Sequence, residues 1–499
     1  SALALTQRQP EGSRMITDRF RGRHVHLIGI GGAGVSALAP LLQRVGATVS
    51  GCDQGDGPAC QRLRRAGLVV HRGHAPTHLD GVDLVVHTAA VKTDHPELVA
   101  ARLRGIPLMT RGECLVELMA GTRTLAVAGS HGKTSTTWML GHLLTEAGTD
   151  PVVMVGGSVT SLDGGARAGT GDLFIAESDE SDGSFARISP HVAIVTNIDH
   201  EHLGHYGSFS ALEDAFRDWL GRIPPNGAAI VPVAGMSSRV TAGLACQVIT
   251  CGLDTGDYHC SRLELGADGS RARVVGFGHD LGEINVTIPG AHMVHNALMA
   301  IAAARLVHPA VELSALARCE RVRRRFTVHG SPLGIRVVED YGHHPTEVRA
   351  TIAAARLGGG RVHVIFQPHR HSRTSECFGD FVAAFDQAHS LALLPIYAAG
   401  EAPIAGISSQ HLGQAIADHR AGLAPGAVQV AEDAASAIRF IVSQARPGDT
   451  CLLLGAGDVG DLAGPLIDFF VVPGHERHAP VPLLPVLPHL HHHFASVNG

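Results

Sequence analysis

Arg123-Thr124-Leu125-Ala126-Val127-Ala128-Gly129-Ser130-His131-Gly132-Lys133-Thr134 reads as an apolar strand that runs directly into a glycine turn ending in a lysine and a hydroxyl. The residues from about Thr134 to Ala147 continue as a helix, and Gly148 stands where a helix C-cap favours glycine. Strand, glycine turn and helix N-terminus together make a phosphate cradle, because backbone N–H groups and the helix dipole both face the anion. Lys133 balances phosphate charge in such a loop, and the Thr134 hydroxyl is placed to bind magnesium. The pattern is a shortened variant, since Val127 occupies the place of the first glycine in GxxxxGK[ST]. Gly129, Ser130, His131, Gly132, Lys133 and Thr134 are thus the candidate nucleotide-phosphate residues.

Further along, the apolar strand Leu173–Ala176 ends in Glu177-Ser178-Asp179-Glu180-Ser181-Asp182. That places carboxylates at the carboxyl edge of a parallel sheet, where ligands bind, and makes Glu177 the natural second magnesium ligand. A third strand, Val192–Thr196, delivers Asn197-Ile198-Asp199-His200-Glu201-His202 to the same edge. Histidine and carboxylate together could hold a second metal ion. The same histidines, with His205, also admit a zinc reading, but no cysteine nearby completes a tetrahedral set and a phosphate loop calls for an oxygen-preferring ion.

Upstream, the strand His24–Ile28 enters Gly29-x-Gly31-x-x-Gly34 and a helix expected to reach about Val45, and Asp53 ends the next strand. Taken alone, this turn suggests a nicotinamide-dependent oxidoreductase. Physically it offers a pyrophosphate cradle, which UDP would fill equally well. A long apolar helix is expected over Asn296–Val307, and strands near Arg336–Glu339, Val362–Phe366, Ser390–Leu394 and Thr450–Leu454.

Bulk composition agrees with a loop-rich multidomain α/β enzyme. The chain has 499 residues, 45% hydrophobic, with 60 glycines and 17% charged residues, so about three domains are expected. A net charge of −6 argues against a general nucleic-acid binder. Nine cysteines without a CxxC pair suggest neither a disulfide framework nor a zinc ribbon, and no secretion signal or long apolar span is visible. A cytoplasmic location without membrane insertion is the expectation. Only two lysines occur, Lys92 and Lys133.

Gly29-Ile30-Gly31-Gly32-Ala33-Gly34, the loop Gly129–Thr134 and Glu177–Asp182, in that order, resemble the Mur ligases. Asp340-Tyr341-Gly342-His343-His344-Pro345 and Pro368-His369-Arg370-His371-Ser372-Arg373-Thr374 are similar to the branch of that family that adds L-alanine. The resemblance implies a Rossmann-like UDP-binding domain over 21–119, a central P-loop ATPase-type domain over 120–322 and a Rossmann-like C-terminal domain over 323–470, with tails at 1–20 and 471–499. It implies that ATP phosphorylates the lactyl carboxylate of UDP-N-acetylmuramate and that the amine of L-alanine attacks the acyl phosphate. Two magnesium ions are implied, replaceable by manganese, and a monomer or homodimer.

Carried over by position, Lys133 and Thr134 contact ATP and metal, Glu177 ligates metal, and His202 holds a second ion. Asn296 reads adenine, while Arg325 and Asp340 approach the nucleotide. His343, His344, Arg370 and Arg373 serve the reacting groups, the arginines as bidentate partners of a carboxylate. Gly29, Gly31, Gly32, Gly34, Asp53 and Arg111 fall on the UDP-substrate side. Ala291 and Met293 stand where the family usually has a basic residue and an amide, and His371 replaces a tyrosine. Later-acting family members carry a modified lysine in the central domain, and no lysine follows Lys133 here.

Overall fold

The computed structural model describes residues 19–88, 91–162, 165–180, 184–201, 203–421 and 427–471. His202, Ser181, Asp182 and the histidine-rich tail lie outside the described residues. The chain divides into two compact units, 1–327 and 328–499.

The first unit contains two sheets. One has five parallel strands, β1 (His24–Ile28), β2 (Thr48–Asp53), β3 (Val69–Arg72), β4 (Leu84–His87) and β5 (Leu108–Thr110), in the order β3-β2-β1-β4-β5. The order reverses at β1, so a crevice opens at its carboxyl end, where Gly29 begins the first glycine turn. Gly51 lies within β2 for a packing reason: a Cβ there would come within 2.6 Å of both the Leu27 carbonyl and the Ile30 side chain. Ile30 of the turn therefore seats on the strand. The helix expected to run unbroken to Val45 is two short helices, Ala33–Ser36 and Leu38–Arg44.

The second sheet has ten strands: β6 (Arg123–Ala128), β7 (Val152–Met154), β8 (Ala166–Ala168), β9 (Leu173–Glu177), β10 (Val192–Val195), β11 (Ala228–Pro232), β12 (Gln247–Cys251), β13 (Tyr258–Gly266), β14 (Gly269–Gly276) and β15 (His279–Val286). Its order is β15-β14-β13-β12-β11-β10-β6-β9-β7-β8. β6 lies between β10 and β9, parallel to both, with Ala128 opposite Val195 and Val127 opposite Glu177. The three loops that follow these strands must therefore emerge side by side. The antiparallel extension β13–β15 was not expected from the sequence; its outer face is polar and exposed, so its apolar signal is thin. The helices Lys133–Glu146 and Ala291–Val307 pack against each other. The second begins at Ala291 rather than Asn296, because Met293 and Val294 extend its buried surface.

The second unit is built on six strands, β16 (Thr327–Gly330), β17 (Arg336–Asp340), β18 (Val362–Phe366), β19 (Ser390–Leu393), β20 (Val428–Val430) and β21 (Thr450–Leu454), ordered β16-β17-β21-β18-β19-β20. β17, β21, β18, β19 and β20 run parallel, and Asp340 and Phe366 both pair with Leu454. The α/β architecture with three sheets agrees with the fold expected from the sequence.

Below the second sheet, Phe185, Phe216 and Trp219 form a fully buried aromatic cluster, with Phe185 centred 5.0 Å from Phe216 and 5.4 Å from Trp219. The Trp219 indole N–H has no hydrogen-bond partner among the described residues, so packing alone holds it. Trp219→Ala should lower unfolding stability by about 3–5 kcal/mol, and Trp219→Phe by much less, since it removes the unpartnered N–H along with some volume. Urea midpoints of the two variants check this; equal losses would count against it.

Candidate active site

The loop Gly129–Gly132 is held in place from the β10 side. The Ser130 N–H donates to the Asn197 carbonyl at 3.1 Å and the His131 N–H to Asn197 Oδ1 at 2.9 Å. The Thr196 hydroxyl and Asn197 Nδ2 both donate to the His131 carbonyl, at 2.6 and 3.0 Å. Ser130 Oγ accepts the Asp199 N–H at 2.9 Å, and His131 Nε2 lies 3.1 Å from Asp199 Oδ2. Gly129 is at φ +128, and a Cβ on it would lie 2.3 Å from the Thr196 hydroxyl. Only glycine fits there. Because Ser130 and His131 spend their N–H groups on Asn197, the anion cradle falls to the first turn of the helix Lys133–Glu146, whose leading N–H groups have no intrahelical acceptor. Asn296 approaches this turn from the helix Ala291–Val307: a Cβ on Gly132 would sit 2.8 Å from its Oδ1, and its Nδ2 donates to Met293 Sδ at 3.8 Å.

Lys133 Nζ donates to the Gly129 carbonyl at 2.6 Å and to both oxygens of Glu180, at 2.9 and 3.0 Å. Burial disfavours its ammonium, but the carboxylates of Glu180, Asp179 and Glu177 outweigh burial and hold its pKa above the ordinary lysine value. Glu180 is fully buried, and burial pushes its carboxyl up to about 7 against the pull of Lys133. The Tyr206 hydroxyl donates to the Glu180 carbonyl at 2.6 Å. In the sequence Glu180 is one of several acidic residues in a run, and the signal for its role is its place three residues past the end of β9.

Thr134 Oγ1 and Glu177 Oε1 lie 3.1 Å apart, and Glu177 Oε2 accepts the Gly156 N–H at 2.6 Å. Adjacent oxygens around an octahedral magnesium are separated by about 2.9 Å, so this pair fits a hard divalent cation. His202, expected to hold a second ion, lies outside the described residues.

At the first glycine turn, both Asp53 oxygens are engaged by backbone: Oδ2 accepts the Gly31 N–H at 2.9 Å and Oδ1 the Gly55 N–H at 3.0 Å. Asp53 therefore shapes the turn. Arg111 packs on it too, since a Cβ on Gly34 would lie 3.2 Å from its guanidinium. Arg325 sits between Arg324 and Phe326, both in the left-handed region at φ 60 and φ 48.

Within the second unit, loops leaving β17, β18 and β21 meet at one carboxyl edge. Asp340 Oδ1 accepts the Gly342 N–H at 2.8 Å and the Thr351 hydroxyl at 3.2 Å. His344 caps the helix Pro345–Arg356, and His343 lies 3.6 Å from Glu347. Arg370, at φ 70, precedes the helix His371–Glu376 that carries Arg373. Arg373 Nη1 lies 3.2 Å from Nδ1 of His369, which stacks on Tyr397 at 5.6 Å. Burial, then His343, Arg373 and Arg370, push the His369 imidazole down to about 4, so it is neutral at neutral pH. His369 and Tyr397 were not among the candidates from sequence, because a buried neutral histidine has no local signature. The first unit thus brings together Gly129–Thr134, Glu177 and Asn296, and the second brings together Asp340, His343, His344, Arg370 and Arg373.

The chain belongs to the Mur ligase family. Residues 24–123 match its catalytic domain, 127–304 its middle domain and 324–457 its glutamate ligase domain. Among its relatives, the UDP-N-acetylmuramate–L-alanine ligase of Sorangium cellulosum is 42% identical, covering 88% of this chain and 95% of the relative. The ligase of the same name from Anaeromyxobacter sp. is 43% identical over 90% of this chain and 97% of its own length. Among solved structures, the UDP-N-acetylmuramate-alanine ligase MurC of Thermotoga maritima superposes with a TM-score of 0.74 at 27% identity, covering 90% of this chain and 99% of that one. The murein peptide ligase of Psychrobacter arcticus gives 0.63 at 26% identity, covering 90% of this chain and 99% of its own.

A carboxyl at about 7 when folded and 4.5 when unfolded stabilises the fold fully below 4.5, and that contribution is lost as pH rises through about 7. The wild type should therefore lose stability relative to Glu180→Gln as pH rises from about 5 to 8. Parallel pH profiles of the two urea midpoints would refute the buried-carboxyl account.

Proposed function

We propose that this protein joins L-alanine to the lactyl carboxylate of UDP-N-acetylmuramate at the expense of ATP, in peptidoglycan precursor synthesis in the cytoplasm. What carries the reading is the phosphate loop with Lys133, Thr134 and Glu177 on adjoining loops, in a chain about 42% identical to ligases of that name over most of both lengths. No helix among the described residues is long and apolar enough to cross a membrane.

A free carboxylate is a poor electrophile, so it must be activated, and the γ-phosphoryl of ATP is the activating group. The helix N-terminus after Gly132 and the Lys133 ammonium hold the phosphates, and Lys133 must exchange part of its contact with Glu180 for phosphate oxygen. Thr134 and Glu177 would hold the magnesium ion, which when bound supplies electrostatic stabilisation of charge developing on the transferred phosphoryl. The amine then attacks the acyl phosphate and phosphate departs, leaving an amide. Arg370 and Arg373 are assigned to the alanine carboxylate or the tetrahedral intermediate, because guanidinium forks pair with carboxylate and phosphate oxygens. His369, neutral beside Arg373, orients that guanidinium without adding charge. UDP falls to residues 21–119, ATP to 120–322 and the acceptor amino acid to 323–470.

Phosphate release from ATP with magnesium should require both UDP-N-acetylmuramate and L-alanine, and Lys133→Ala should reduce it at least about 100-fold. Release that needs another amino acid or a peptide in place of alanine would move the assignment within the family, and release with neither substrate would sink it. Arg373→Ala should raise the KM for L-alanine about 10- to 100-fold, the worth of a hydrogen bond to a charged group, with a smaller change in the KM for ATP. An unchanged alanine KM would remove Arg373 from the acceptor site.

A further inference from the structure

The first sheet hides a cluster of metal-binding side chains that the ligase chemistry does not use. Register places it: His26 on β1 pairs with Ser50, and Cys52 on β2 pairs with Ile28 and His71, so His26, Cys52 and His71 share one face of the sheet. The turn after β3 brings His74 and His78 over that face, and the helix Pro96–Leu103 brings Glu97 in its first turn. One ligand atom from each of His26, Cys52, His78 and Glu97 lies within 4.8 Å of the others. His26, Cys52 and Glu97 are completely buried.

Three features distinguish this group from an ordinary polar core. Glu97 is a buried carboxylate whose ion-pair partners among the described residues are all imidazoles, His26, His74 and His78; the Ala75 N–H also donates to it at 3.1 Å, and a bound cation would supply the full positive charge that an imidazole carries only when protonated. His26 has one ring nitrogen, Nδ1, fixed by Ser50 Oγ at 2.9 Å, while its Nε2 points into the cluster without a hydrogen-bond partner among the described residues, 3.8 Å from Glu97. That is how an imidazole is held ready for a metal, one nitrogen tied and the other presented. Finally, the Cys52 thiol donates to Glu97 at 2.8 Å, and His78 Nδ1 lies 2.7 Å from the other Glu97 oxygen. Ligand atoms around tetrahedral zinc are separated by about 3.3–3.8 Å, so a small outward shift converts these contacts into coordination.

We infer that His26, Cys52, His78 and Glu97 form a structural site for a zinc-class divalent cation, separate from the phosphate-loop site. Thiolate, two imidazoles and a carboxylate favour zinc over magnesium. On binding, the thiol and any imidazolium give up their protons to solvent, and no redox change is involved. The ion ties β1, β2, the turn after β3 and the helix Pro96–Leu103 together immediately behind Asp53, which shapes the first glycine turn.

Cobalt(II) titration of the full, reduced, metal-free protein tests this, because a thiolate–cobalt charge-transfer band reports cysteine ligation. Neither the histidines His489 and His491–His493 of the tail nor Thr134 and Glu177 can produce that band. One equivalent should give the band with tetrahedral visible absorption, and zinc, not magnesium, should displace it and raise the unfolding midpoint. Cys52→Ser should abolish the band, and His78→Gln, at the part-exposed rim, should weaken binding at least about tenfold. Cobalt binding without the band, a band that survives Cys52→Ser, or affinity unchanged in His78→Gln overturns the site. Should Cys52→Ser fail to fold, the wild-type spectrum and His78→Gln still decide.

Discussion

The hydrogen bonds that tie Ser130 and His131 to Thr196, Asn197 and Asp199 are the constraint on which the proposed nucleotide site depends. A glycine-rich turn is inherently loose, since glycine loses more conformational freedom on ordering than any other residue. Here the segment after β10 supplies the order: five donors and acceptors from Thr196, Asn197 and Asp199 fix the turn, and Gly129 lets that segment come close. The turn thereby sets the direction of the helix Lys133–Glu146 and places Lys133 against Glu180. Preorganisation of this kind is what electrostatic catalysis needs, because dipoles already in position cost nothing to reorient during the reaction.

The same logic recurs in each sheet. Parallel strands release their loops at one edge, so residues far apart in sequence meet there without any direct sequence signal. Gly29, Asp53 and Arg111 converge in the first sheet, Gly129, Glu177 and Thr196 in the second, and Asp340 and Arg370 in the third. Buried charge is handled in two ways at these edges. Lys133 donates to both oxygens of the buried Glu180 carboxyl next to the phosphate loop, whereas Glu97 is surrounded by imidazoles and a thiol. The first arrangement is one that an incoming phosphate can reorganise, since Lys133 has carbonyl and carboxylate partners to exchange. The second is enclosed and offers softer ligands, which suits a resident ion.

Local chemistry decided much of this protein in advance. The strand Arg123–Ala128 and the turn after it read as a phosphate loop, because apolar run, glycines, Lys133 and Thr134 are contiguous and their meaning does not depend on anything distant. His24–Ile28 and its glycine turn were legible for the same reason, as was Glu177, whose position after a buried strand already placed it at a sheet edge. Family resemblance then joined these pieces to the motifs around His343 and Arg370.

Only the tertiary structure decided the rest. Glu180 became the partner of Lys133 because β9 lies beside β6, and His369 became a neutral companion of Arg373 because burial and neighbouring positive charge hold off its proton. The strands β13–β15 were invisible because their stability comes from pairing with one another more than from an apolar pattern. The His26–Cys52–His78–Glu97 group was unreadable as a site because its members come from four separate segments, with no metal-ligand spacing between them. Motifs report on residues joined by the chain, whereas charge balance, register and burial depend on residues joined through space.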